Sequence, residues 1–160
     1  MSDASVENTT TSGTETTPPS LAKRLVNCRH FRWLPGMLIQ TVGGPTDRIA
    51  GIDSTYIHAW AESQQTENPR GMWIRYRLDR MNKHGVPDLS DPATVSALLA
   101  LVREVAQEPG LHVRCLLPYA PDMSGKTPPP WALYSGRGAR LTDRYDTEAE
   151  ALVAALEAAP

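Results

Sequence analysis

Two possible metal ligands, Cys28 and His30, lie one residue apart. A structural zinc site needs four ligands arranged as a tetrahedron. The other candidates follow no metal-binding spacing; they are His58, His84, His112 and Cys115. The sequence therefore predicts neither a metal site nor a cofactor. Cys28 is expected to pack as a small apolar side chain, and Cys115, on the apolar side of its strand, to belong to the core.

Residues 124–127 (SGKT) resemble the end of a phosphate-binding P-loop. The glycine that should stand five residues before Gly125 is replaced by Ala120, and prolines occupy positions 128–130. A P-loop continues into a helix at that point, whereas three consecutive prolines hold the chain extended. The string therefore does not predict nucleotide binding.

Asp53, Ser54 and His58 have the residue types of a hydrolase triad. They lie within six residues of one another, where a hairpin turn is expected, and catalytic triads are rarely assembled from so short a segment. No nucleophile elbow, zinc-protease motif or dinucleotide-binding fingerprint is present. We therefore predict that the chain is not an enzyme.

A fourth group combines basic and aromatic side chains between residues 29 and 83. Arginine and lysine attract phosphates, and exposed aromatic rings stack on bases. The alternation in residues 72–78 would place such side chains on one side of a strand. The residues predicted for a nucleic-acid contact are Trp73, Arg75, Arg77 and Arg80; the wider group adds Arg29, Phe31, Arg32, Trp33, Arg70, Tyr76 and Lys83.

Charge is distributed unevenly along the 160 residues, although the net charge is only −2. Residues 1–20 carry −3, residues 21–86 carry +5 and residues 87–160 carry −4. Such a division indicates either partners of opposite charge or two halves that dock on each other. A partner-binding acidic surface, able to imitate phosphate charge, is the hypothesis for Glu104, Glu108, Asp143, Asp146, Glu148 and Glu150.

The elements that would position these residues define three segments. Residues 1–20 read as a disordered Thr/Ser-rich tail with too few apolar side chains to fold. Residues 21–86 form a β-rich basic region, in which strands over 37–42, 48–52, 56–60 and 72–78 suggest a short meander or a small SH3-like barrel. Residues 81–89, with Gly85 and Pro87, mark the boundary to the second half.

Residues 87–160 are predicted to form an acidic helix–strand–strand–helix (αββα) module. Asp91 caps a helix that begins with Pro92 and carries an apolar stripe. Strands follow over 111–117 and 131–134, and residues 141–145 are a third strand or a loop. Thr147 and Glu150 form a capping box at the start of the last helix. The predicted fold class is therefore α+β.

Three strings carry a resemblance: 33–37 (WLPGM), 88–94 (DLSDPAT) with 98–104 (LLALVRE), and 147–158 (TEAEALVAALEA). Together they are similar to small proteins of bacteriophages and prophages to which no activity is assigned. The resemblance spans residues 33–159 with gaps. It implies a gene of a phage or mobile element whose product acts in the bacterial cytoplasm, and it transfers no functional residue.

The sequence contains no secretory signal and no apolar run long enough to span a bilayer. Two distant cysteines favour a reducing compartment over a disulfide scaffold. The predicted function is a non-enzymatic interaction protein, accessory or host-modulating and of a class that includes anti-defence proteins, which binds a phage or host protein. The alternative is a nucleic-acid-binding protein that uses the basic, aromatic first half. Oligomeric state does not follow from the sequence.

Overall fold

In a computed structural model the described residues are 20–41, 46–61, 73–116 and 129–160. Most of the predicted tail, the string 124–127 and Arg70 therefore lie outside them. The helices are α1 (Leu21–Asn27), α2 (Leu78–His84), α3 (Pro92–Val105) and α4 (Glu148–Ala158). The strands are β1 (Leu38–Thr41), β2 (Thr46–Ile52), β3 (Tyr56–Ala61), β4 (Trp73–Arg77), β5 (Gly85–Pro87), β6 (His112–Cys115) and β7 (Trp131–Tyr134). The predicted α+β class is confirmed.

Five strands form one antiparallel sheet in the order β4-β3-β2-β1-β5. Strands β1 to β4 each pair with their neighbour in the chain. α2 then leads from β4 to β5, which pairs with β1 at the opposite edge. The register between β2 and β3 shifts between Ile49 and Gly51, a bulge that bends the strand locally.

The end of the fourth predicted strand differs from the structure. β4 stops at Arg77, and Leu78 begins α2 instead of completing the strand. Leu78 fits the alternation of the strand, but its spacing from the buried Met81 is also the i, i+3 spacing of a helix face. Arg80 consequently lies in α2 and not on the strand. Residues 81–89, expected to be a boundary, contain the end of α2 and all of β5.

The second half contains both predicted helix starts. The Asp91 carboxylate accepts a hydrogen bond from the Thr94 N–H at 2.7 Å, and Pro92 occupies the first turn of α3. Thr147 and Glu150 form the predicted capping box of α4. β6 and β7 pair as a two-stranded sheet against which α4 packs, and α3 packs on α4. Residues 141–145 form no strand and contribute an isolated bridge between Tyr145 and Trp131.

Two buried clusters fill the interior. One joins α1, α3, α4 and the β6–β7 sheet and includes Leu25, Leu98, Leu101, Leu133, Leu152 and Leu156. The other lies under the five-stranded sheet and comprises Trp33, Met37, Ile39, Ile49, Ile57 and Met81. Phe31 and Leu34 pack against both clusters. The segment after α1 is therefore the seam between the two halves.

Oppositely charged side chains also meet across the seam between the halves. Three ion pairs cross the seam: Arg24 with Glu157 at 2.6 Å, Arg48 with Asp91 at 3.1 Å, and Arg32 with Glu104. Arg29 also donates to the backbone carbonyl of Ala159 at 2.8 Å. Of the two interpretations of the uneven charge, these contacts support docking of the basic half on the acidic half.

Both cysteines are free thiols. The expectation that Cys115 belongs to the core is wrong, because this residue is exposed. It is the last residue of β6 and pairs with Trp131 where the hairpin leads into the segment that joins its two strands, so the alternation that predicted a buried side does not extend to this end. Among the described residues, no helix has the length and apolar character needed to cross a membrane.

Candidate binding surface

The outer side of β3 and β4 gathers aromatic and basic side chains into one surface. Strand pairing sets Trp60 opposite Trp73, His58 opposite Arg75 and Tyr56 opposite Arg77. Because side chains alternate across a strand, the intervening Ile57, Ala59 and Ala61 point inward, where all three are buried. We call the outer set (Tyr56, His58, Trp60, Trp73, Arg75 and Arg77) the aromatic–basic face.

The aromatic members of this face are unusually open to solvent. Trp73 is 64% exposed, Trp60 37% and Tyr56 36%. Among the described residues the only other exposed large hydrophobic side chain is Leu141, in the second half. The two tryptophan rings meet edge to face with centroids 5.2 Å apart. An exposed cluster of large apolar side chains typically marks a binding surface.

The basic members remain available for a ligand. The Arg75 guanidinium lies 5.8 Å from the centre of the Tyr56 ring, and no carboxylate among the described residues pairs with it. Arg77 pairs with Asp79 at 3.1 Å, but both side chains are about 60% exposed. Exposed pairs of this kind contribute about 0–1 kcal/mol, so a phosphate or a partner's carboxylate can replace Asp79.

The structure brings together part of the group predicted from the sequence. Trp73, Arg75 and Arg77 share the aromatic–basic face, whereas Arg80 lies beyond it in α2, exposed. The wider group does not converge here: Trp33 is buried, Tyr76 points inward to Asp47, and Arg29 and Arg32 contact the second half.

Sequence reasoning missed Tyr56, His58 and Trp60. Their spacing of two is the signal that could have identified them, since residues at positions i, i+2 and i+4 of a strand share a side. To predict that these residues lie beside Trp73 and Arg75, the register between β3 and β4 must be known. Residues 56–60 alone do not specify that register.

The predicted acidic surface is partly occupied by bonds within the fold. Glu104 pairs with Arg32, and Glu108 accepts from the Gly136 N–H at 2.9 Å. Glu150 accepts from the N–H groups of Asp146 and Thr147 in the capping box. Asp143 and Asp146 are exposed, and Glu148 is half-buried. Half of the six carboxylates therefore have structural partners.

Asp53 and His58 form a hydrogen-bonded pair, with 2.9 Å between carboxylate oxygen and Nε2. The other carboxylate oxygen accepts from the N–H groups of Thr55 and Tyr56 at 2.8 and 2.7 Å, which closes the turn before β3. No hydrogen bond joins Ser54 to His58 among the described residues, so the cluster lacks the nucleophile–base contact of a triad. The hydrogen bond from His58, then those from the two backbone N–H groups, lower the pKa of Asp53 to about 2.

We expect the replacement of Asp53 by Asn to reduce the dependence of the free energy of unfolding on pH at acid pH. A carboxylate whose folded-state pKa is lowered contributes stability that is present above its ordinary pKa of 3.8 and is lost as pH falls towards 2. Urea unfolding of both proteins between pH 2 and pH 6 measures this difference. The two curves should converge at the acid end; a constant separation across the range would contradict the assignment.

Grooves elsewhere on the surface also contain ionisable side chains: Cys28 lies in a groove of about 420 Å³ with Arg24, Asn27, Arg29 and Glu157, and Arg24 is paired with Glu157. One groove of about 590 Å³ lies between the N-terminal ends of α3 and α4, and its only ionisable side chains are Glu148 and Glu150. Within the described parts of the chain, no three His, Cys, Asp or Glu side chains come close enough to hold a metal ion. Comparison with profiles of known protein families, with curated proteins and with solved structures gives no match. The aromatic–basic face is therefore the candidate functional site.

Proposed function

We propose that this chain is a non-enzymatic interaction protein that binds its partner through the aromatic–basic face. The observation that carries the proposal is the exposure of Trp73, Trp60 and Tyr56 on one side of a sheet, beside Arg75. Tryptophan, tyrosine and arginine are the side chains on which binding energy concentrates at interfaces.

The biological setting is also a proposal. The resemblance to phage and prophage proteins supports an accessory or host-modulating role in the bacterial cytoplasm, with a host or phage molecule as the partner. The acidic set is the weaker candidate surface, because Glu104, Glu108 and Glu150 already have partners. The strand order, in which α2 carries the chain from β4 across to β5 beside β1, supports an SH3-like barrel as the scaffold.

Affinity capture with matched variants tests this function. Tagged wild-type protein, Trp73→Ala and the control Leu141→Ala are used to capture molecules from a bacterial lysate. Leu141 is also an exposed apolar residue (49%), but it lies in the second half. A protein or nucleic acid recovered by the wild type and the control, and lost with Trp73→Ala, supports the proposal. Equal recovery with all three proteins would exclude the aromatic–basic face as the binding surface.

A further inference from the structure

We infer that the ligand of the aromatic–basic face is single-stranded nucleic acid; this inference rests on the proposed function. Single strands bind where aromatic rings accept unpaired bases and nearby cations follow the phosphates. Both groups are present on this open sheet surface, and they belong to two adjacent strands with fixed register.

The order of side chains along β3 and β4 separates the rings that would stack on bases from the cations that would contact phosphates. The tryptophan pair, Trp60 and Trp73, lies at one end of the face, next to His58 and Arg75. Tyr56 and Arg77 form the far end. Successive pairs on one side of a sheet are about 6.7 Å apart, so the face spans about 13 Å. A single-stranded nucleic acid lying along this face would place bases on the tryptophan rings and phosphates beside the arginines.

The charge of the face favours a polyanion over a protein. Its charged side chains are arginines, and the nearby carboxylates of Asp53 and Asp79 are bonded to His58 and Arg77. α2 packs beside β4 and adds two exposed cations, Arg80 and Lys83.

A duplex does not fit this chemistry. Stacking on Trp73 requires a base free of its pairing partner, as in a single strand or a loop. Direct readout of bases in the major groove of a duplex requires a helix or a two-stranded ribbon that fits the groove. Here β4 is the edge of a five-stranded sheet, and the aromatic rings lie on its broad side.

Fluorescence anisotropy with labelled oligonucleotides of about 12 nucleotides, within the known range of site sizes, tests the inference. We expect single-stranded DNA or RNA to bind more tightly than a duplex of the same length and to quench tryptophan fluorescence. Trp73→Ala removes the ring on which one base would stack, so this variant should bind single strands about 5- to 140-fold more weakly than the wild type. For Arg75→Gln, the slope of log affinity against log salt should decrease in magnitude by about 0.7, the value for one phosphate contact.

Matched controls separate this inference from the proposed function. Leu141→Ala and Arg137→Gln change an exposed apolar and an exposed basic residue in the second half, and they should bind like the wild type. No single-strand binding at about 100 μM protein and low salt, where even non-specific binding is measurable, would overturn the inference. Equal affinity for duplex, or binding unchanged in Trp73→Ala and Arg75→Gln, would also overturn it. Capture of a protein that depends on Trp73, without oligonucleotide binding, would overturn the ligand class and leave the proposed function intact.

Discussion

Replacement of Asp91 by alanine is expected to lower the free energy of unfolding by about 2–4 kcal/mol, from a lost helix cap and from charged and polar groups left without partners. Asp91 is the N-cap of α3, and its carboxylate accepts from both the N–H and the hydroxyl of Thr94. The same carboxylate binds the Arg48 guanidinium through both oxygens, at 3.2 and 3.1 Å. One side chain thus holds the start of a helix and its contact with β2.

The network around Asp91 connects the two buried clusters. Arg48 also donates to the carbonyl oxygen of Gly36 at 2.8 Å, and the Thr94 hydroxyl accepts from the N–H of Leu38 at 2.8 Å. Thr94 is fully buried, and the side chain of Asp91 is 12% exposed. The hydrogen bond from Arg48 outweighs the effect of burial and lowers the pKa of Asp91. The carboxylate is therefore ionised at neutral pH, as its bond to the Arg48 guanidinium requires.

The matched control is the other well-formed ion pair across the seam. Arg24 and Glu157 are 43% and 36% exposed, and an exposed pair contributes at most about 1 kcal/mol. Urea unfolding of Asp91→Ala, Asp91→Asn and Glu157→Gln gives the three free energies. Asn keeps a cap acceptor but loses the charge, so its loss should fall between the other two. A loss for Asp91→Ala no larger than that for Glu157→Gln would contradict the role of the network.

The features that the sequence predicted correctly depend on local signals. Asp91 followed by Pro92 is recognisable as the start of a helix, and Thr147 with Glu150 is a capping box, because both motifs need only neighbouring residues. The alternation of apolar and polar residues correctly predicted β3 over residues 56–60, and in the structure this strand is one residue longer and ends at Ala61. The α+β class follows from such elements.

The parts that were missed depend on contacts between distant residues. Nothing near Gly85 indicates a strand; β5 exists because β1, more than 40 residues earlier, offers a free edge. Cys115 follows the alternation of Leu111 and Val113, yet Leu111 is buried, Val113 is half-buried and Cys115 is exposed, so burial decreases along this segment. Asp91 was recognised as a cap, but its bond to Arg48 depends on how the two halves pack.

The net charges of the segments were a poor guide to the candidate surface. The +5 of residues 21–86 includes Arg24, Arg32 and Arg48, and all three pair with carboxylates of the second half. What remains on the aromatic–basic face is Arg75 and the weakly paired Arg77. Local placement, and not the total charge, therefore determines where a polyanion can bind.

A second large effect is expected at Asp47, a carboxylate with one hydrogen-bond partner in the interior of the sheet. Asp47 is 1% exposed; one of its oxygens accepts from the Tyr76 hydroxyl, and the other has no partner in the described parts of the chain. Burial, followed by the bond to Asp47, raises the pKa of Tyr76 and keeps its hydroxyl protonated as the donor. Removal of this donor in Tyr76→Phe should cost about 1–3 kcal/mol, the penalty for an unsatisfied buried polar group.

The double variant Asp47→Val/Tyr76→Phe should recover most of that loss. Replacing both partners of a buried hydrogen bond by apolar groups removes the unsatisfied carboxylate together with its donor, and valine suits a strand. Urea unfolding of the two single variants and the double variant forms a cycle whose coupling energy isolates the pair. The control Tyr56→Phe removes an exposed hydroxyl and should change stability by less than about 0.5 kcal/mol. A double variant no more stable than Tyr76→Phe would contradict this explanation. It would mean that the unsatisfied carboxylate is not what destabilises Tyr76→Phe, and that Asp47 contributes to the fold without its partner.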